Sequence, residues 1–196
     1  MRPTRRESRV WYPALLGFCT LVGHVSSLWG GEVSAGARAN APQTWVTWRG
    51  IEADKGASAW YLTRFVRSDV KFREVEPGLL DLGDGKPFDV PQAQHRRTHQ
   101  NAVYEQLQLA YPTDDRSAKR IGEIIHDIEI NLWGPKKFAE SDRIQKATMD
   151  LAESRGDGWI PLNCYVQWFD AIYSRLNRVG NLDSVPDFPD TCLLKK

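Results

Sequence analysis

Residues 44–75 read TWVTW-RGIEADKGASAWYLTRFV-RSDV-KFREV, and their pattern decides the fold. Thr44-Trp45-Val46-Thr47-Trp48 alternates small polar with apolar and β-branched residues, the pattern of a strand. Arg49-Gly50 breaks it. Ala57, Trp60, Tyr61 and Phe65 then recur at helical spacing across residues 57–67, with Asp54 placed to cap that helix. Across residues 70–75, Val70 and Phe72 share one face and Lys71 and Arg73 the other, a second strand. Strand, helix and strand within about 30 residues predict a right-handed parallel crossover.

The pattern extends outward from this unit. Phe88-Asp89-Val90, stopped by Pro91, reads as a third strand. Helical periodicity follows. Residues 101–110 turn Val103 and Leu107 inward, and residues 117–130 carry the stripe Ile121, Ile124, Ile125, Ile128. Ser141 is placed to cap a helix with Ile144, Ala147, Thr148 and Leu151 inward, closing near Gly156. Pro161 and Gly180 bracket a helix with Leu162, Tyr165, Val166, Phe169, Ile172, Leu176 and Val179 on its core face. Residues 181–196, with Pro186 and Pro189, read as an extended strap or a frayed tail. The fold class is α/β, a small, mostly parallel sheet of about three strands covered by about five helices.

Residues 1–39 differ from the rest. Arg2, Arg5, Arg6 and Arg9 precede the uncharged run Val10–Trp29, and small residues end in Ala37-Arg38-Ala39. Basic, apolar and small in that order is the layout of a secretory signal peptide with an A-x-A cleavage site. An uncleaved membrane anchor is the competing reading, weakened by Pro13, His24 and Ser26-Ser27. Cleavage after Ala39 implies a periplasmic or secreted domain over 40–180, a tail over 181–196, and no stable membrane span. Losing Arg2, Arg5, Arg6, Arg9, Arg38, Glu7 and Glu32 leaves 21 basic and 23 acidic residues of the 26 and 25 in the whole chain. Such a balance disfavours nucleic-acid binding by bulk electrostatics. Three Cys exclude a four-thiolate zinc site. Cys164 and Cys192 either pair in an oxidising compartment, strapping the tail, or stay free.

Three polar groupings carry potential chemistry. The loop holding Glu52 and Asp54 leaves the carboxyl end of the first strand, where parallel sheets bind ligands. His95-Arg96-Arg97-Thr98-His99 is a dense positive run, and Arg96 and Arg97 have the fork geometry that suits oxyanions. Glu123, His126 and Asp127 all point away from the isoleucine stripe, either as a solvated face paired with Arg120 or as ligands of one cation.

The segments TWVTWRGIEADKGASAWYLTRFV, KPFDVPQAQHRRTH and IGEIIHDIEIN together resemble the C-terminal domain of ChrB-type chromate-resistance proteins. The resemblance runs from about Thr44 to Asn131 and more loosely to Arg178. It aligns Glu52 with a position usually His in that family, and Asp54 with its Asp. His99 and Glu105 match a His followed by a T-F-E helix; His126, Asp127 and Glu129 match an H-D-I-D segment. Regulators of the family place a DNA-associated domain ahead of this one, where a signal peptide stands here. The resemblance therefore implies an exported chromate-resistance-like protein without a transcriptional role.

The ordered set Glu52, Asp54, Asp89, His99, Glu123, His126 and Asp127 is then a candidate metal-ligand list for manganese, iron or zinc, with Arg96 and Arg97 for an oxyanion. No nucleotide cofactor is expected. The order is similar to that of DHH-type phosphoesterases, which makes a metal-dependent hydrolase the alternative to a binding module. A third reading is a metal-free partner-binding domain that exposes Trp133 and Trp159.

Overall fold

The computed structural model describes residues 43–156 and 159–193. The segment read as a signal peptide lies outside the described residues. Strand β1 (Thr44–Trp48) is the middle of a three-stranded sheet, between β2 (Lys71–Val75) and β3 (Lys86–Pro87). Both pairings are parallel, Thr44 opposite Lys71 and Trp45 opposite Lys86. Six helices follow among the described residues: α1 (Ala53–Tyr61), α2 (Val103–Ala110), α3 (Arg116–Glu129), α4 (Ala139–Arg155), α5 (Leu162–Val179) and the short α6 (Asp190–Leu193). The α/β reading and the parallel crossover hold.

Helix α1 is buried along its whole length, because helices cover it on several sides rather than one. Small residues allow that close approach. A Cβ on Gly56 would fall inside the Tyr165 ring of α5. The helix starts at Ala53, earlier than the periodicity of its apolar residues implies, and continues as a π-helical turn over Leu62–Val66. Asp54 does not cap it. Glu52 occupies the N-cap position without a side-chain cap bond, and Asp54 points across to α2.

The third strand also differs. Pairing falls at Lys86–Pro87; beyond it Phe88 N–H donates to the Val46 carbonyl, Phe88 bridges to His95, and Asp89 N–H donates to the His95 carbonyl. Asp89 therefore lies just past the strand, with a left-handed backbone (φ 53°). Pro at this position is tolerated because β3 is an edge strand.

The helical readings over α3 and α5 hold closely. Ile121, Ile124, Ile125 and Ile128 are buried, each worth about 1.5–3 kcal/mol relative to exposure. Gly180 ends α5 with φ 77°, although Val179 is exposed. Ser141 is not the cap of α4. Phe138 holds the N-cap position, and Ser141 lies inside the first turn with its hydroxyl toward the Ile124 carbonyl.

The tail is a strap. Leu182 is buried, Trp168 Nε1 donates to the Pro186 carbonyl at 2.8 Å, and Cys164 and Cys192 form a disulfide. Among the described residues no helix is long and apolar enough to cross a membrane.

Candidate ligand-binding site at the end of the sheet

A cavity of about 420 Å³ opens beyond the carboxyl ends of the strands, lined by Glu52, Asp54, Asp89, Arg96, Arg97 and Glu129 with Val90 and Pro91. The loop after β1 brings Glu52, the first turn of α1 brings Asp54, and the turn after β3 brings Asp89. Arg96 and Arg97 come from the following loop, and Glu129 from the end of α3. Five of the nine sequence-predicted residues meet here.

Asp54 is buried and its two oxygens are occupied. Val103 N–H donates to Oδ2 at 2.7 Å, Tyr104 N–H to Oδ1 at 2.9 Å and the Ser58 hydroxyl to Oδ1 at 3.2 Å. The N-cap residue of α2 is Ala102, which has no side-chain acceptor, so Asp54 satisfies the orphan amides from another helix. Burial pushes its pKa up to about 7, reinforced by the Glu129 charge and opposed by those three hydrogen bonds.

Asp89 is the unsatisfied member. Its side chain is only 12% exposed, and Oδ2 lies 3.5 Å from Lys55 Nζ. That oxygen is buried and accepts no hydrogen bond among the described residues. Burial holds the carboxyl well above its usual range; Lys55 opposes this, and Glu52 and Asp54 add to it.

Lys55 is a residue that sequence reasoning missed. It is 2% exposed, and its ammonium donates to Glu52 Oε1 at 2.8 Å. Burial works against its charge, but Asp89 and Glu52 outweigh that and raise its pKa. No local pattern marks it, because its burial follows from the cover on every side of α1, and a buried Lys then needs a carboxylate partner. Glu129 was matched only through the resemblance. Its Oε2 accepts from Arg97 Nη1 at 2.6 Å, and burial raises its pKa against that pairing. Arg96 donates to the Ala93 carbonyl at 2.9 Å and makes no ion pair among the described residues.

The other predicted residues do not join them. His99 is exposed in the loop ahead of α2, and neither it nor His126 lines the cavity. Glu123 is exposed and paired with Arg120 at 2.9 Å. Asp127, read as part of an outward-facing polar set, is fully buried. It accepts Lys137 N–H at 2.8 Å, Phe138 N–H at 3.2 Å and Asn131 Nδ2 at 3.0 Å, so it shapes the entry to α4. Arg120 instead bridges Glu123 and Glu140. His95 is buried against the Trp45 and Tyr111 rings, and burial lowers its pKa. Trp133 is exposed as expected, but Trp159 is half-buried, its indole donating to Glu74 at 3.1 Å under the Arg49 guanidinium.

Among the described residues, no group of three or more His, Cys, Asp or Glu side chains converges with metal-ligand geometry. The donors that line the cavity are carboxylate oxygens, which suit hard divalent ions of the manganese or magnesium kind better than zinc. Asp89 Oδ2 is the acceptor here without a hydrogen bond, its ion-pair partner Lys55 standing 3.5 Å away. Glu52 and Glu129 are the other carboxylates, each with a cationic partner, and Asp54 is already taken up by α2.

Fold and cavity together define a small α/β domain with a charged pocket at the carboxyl end of a parallel sheet. Residues 45–176 match the family model described as ChrB, C-terminal domain, and the chain belongs to that family. The match carries a chromate-resistance-like function. No curated protein and no solved structure matches the chain.

Proposed function

We propose that this chain is an exported chromate-resistance-like protein whose domain sequesters a divalent metal ion in the strand-end cavity. The observation that carries the reading is Asp89: a buried carboxylate oxygen without a hydrogen bond, presented by a left-handed backbone into a cavity walled by other carboxylates. Unsatisfied buried groups and backbone outliers of this kind concentrate at functional sites. Burial, reinforced by the neighbouring carboxylates, raises the pKa values of Asp89, Asp54 and Glu129, and a cation there would favour their charged forms.

Asp89, Glu52 and Glu129 would hold the ion. Lys55 positions Glu52 and Asp89 from below, and Asp54 locks α2 against the site. Arg96 and Arg97 at the rim suit an oxyanion that accompanies the metal. The basic-apolar-small order of residues 1–39 supports export. So does the Cys164–Cys192 disulfide, since such bonds persist in oxidising compartments.

Calorimetric titration of the full chain with manganese tests the site. Wild type is expected to bind one equivalent, and Asp89→Asn, which keeps a side chain that tolerates the left-handed backbone, to lose it. A wild-type chain that takes up no manganese overturns the reading.

A further inference from the structure

A second arrangement of ligand chemistry lies on α2 and α3, away from the strand-end cavity. His126 Nδ1 sits 3.0 Å from Glu105 Oε1 and 2.9 Å from Oε2. Glu105 is itself anchored, because the Ala102 N–H donates to its Oε2 at 2.8 Å. A carboxylate on Nδ1 fixes the ring and its tautomer and leaves the Nε2 lone pair outward, the arrangement found behind metal-bound histidines. Nε2 makes no hydrogen bond among the described residues.

Glu123 precedes His126 by one helical turn, and both line a cavity of about 580 Å³ that Lys137 and Phe138 also border. Glu-x-x-His is the spacing at which one helix face directs a carboxylate and an imidazole to a single ion. The partner of Glu123 is Arg120, an ion pair in which the Glu123 side chain is 58% exposed. Exposed pairs of this kind contribute little to stability, so the carboxylate is free to exchange it for a stronger partner. Asp127, the next residue, is excluded by its bonds to the entry of α4.

We propose that His126 Nε2 and Glu123 form a second, separate site for a borderline divalent ion such as zinc, with Glu105 as the positioning residue. Water completes the coordination, which makes the site exchangeable rather than structural. Its mixed nitrogen and oxygen donors set it apart from the all-carboxylate cavity at the sheet end. The proposal does not depend on that cavity binding anything.

Zinc titration of the full chain, followed by calorimetry, separates the two sites. His126→Gln is expected to lose one zinc equivalent while Asp89→Asn and His99→Ala keep it. Glu105→Gln is expected to retain the equivalent at about 10–100-fold weaker affinity. Its histidine ¹⁵N resonances should also show a mixture of tautomers where wild type shows the Nδ1–H form. Glu123→Gln, at an exposed position, should weaken zinc as well. Retention of the equivalent at wild-type affinity in both His126→Gln and Glu123→Gln, or its loss in Asp89→Asn, overturns the proposal.

Discussion

Asp54 shows how one side chain can serve two helices. It stands in the first turn of α1, yet its bonds go to the amides of Val103 and Tyr104 at the start of α2. Its pKa is raised from 3.8 to about 7. The folded chain therefore holds a proton there that the unfolded chain has released between about pH 4 and pH 7. Stability from this group is fully present below about pH 4 and is lost as pH rises through about 7. Wild type should accordingly exceed Asp54→Asn in unfolding midpoint by more at about pH 5 than at about pH 8. A difference that is constant with pH, measured by urea titration, would contradict the raised pKa. Gly56 is constrained by space instead. Gly56→Ala gains about 1 kcal/mol of helix propensity, but its methyl group meets the Tyr165 ring. Overpacking costs about 1–3 kcal/mol, so the net change is expected to lower the urea midpoint. An unchanged or raised midpoint would show that Tyr165 gives way.

Among the elements, those with strong periodicity were legible from the sequence. β1, β2 and the isoleucine stripe of α3 fall where their apolar spacing puts them, and Gly180 stops α5 as its flexibility implies. What could not be read was set by tertiary contact. Periodicity assumes one buried face, and α1 has none exposed; hence Lys55 and the true role of Asp54 went unseen. The outward direction of Asp127 from the isoleucine stripe was inferred correctly for an isolated helix, but the loop into α4 folds back over it. The seven metal-ligand candidates form one ordered list in the sequence, whereas the topology divides them among the sheet end, the exposed loop that holds His99, and α3. Nothing local in the sequence encodes that separation. Cysteine pairing was open, and the strap settles it, because the tail returns along α5 and brings Cys192 to Cys164 across 28 residues of sequence. Closing a loop of that length is worth about 2–4 kcal/mol. Cys192→Ser should lower the thermal midpoint in non-reducing buffer, and reductant should lower that of wild type while leaving the variant unchanged. Equal midpoints for the two chains without reductant would contradict a stabilising strap.

The whole molecule combines a near-neutral net charge of +1 with a local concentration of carboxylates at one end of its sheet. Glu52, Asp54, Asp89 and Glu129 face a shared space, balanced by Lys55 beneath and Arg97 at the rim. The family assignment places this domain among chromate-resistance proteins, and the carboxylate pocket gives that assignment a physical candidate for its chemistry. In the proposed function a metal ion completes this pocket through Asp89. Elemental analysis of the full chain, incubated with manganese and desalted beside Asp89→Asn, tests it most directly. Stoichiometric manganese is expected in wild type and none in the variant, with matching near-ultraviolet circular dichroism. Manganese absent from wild type, or equally present in both chains, would contradict it.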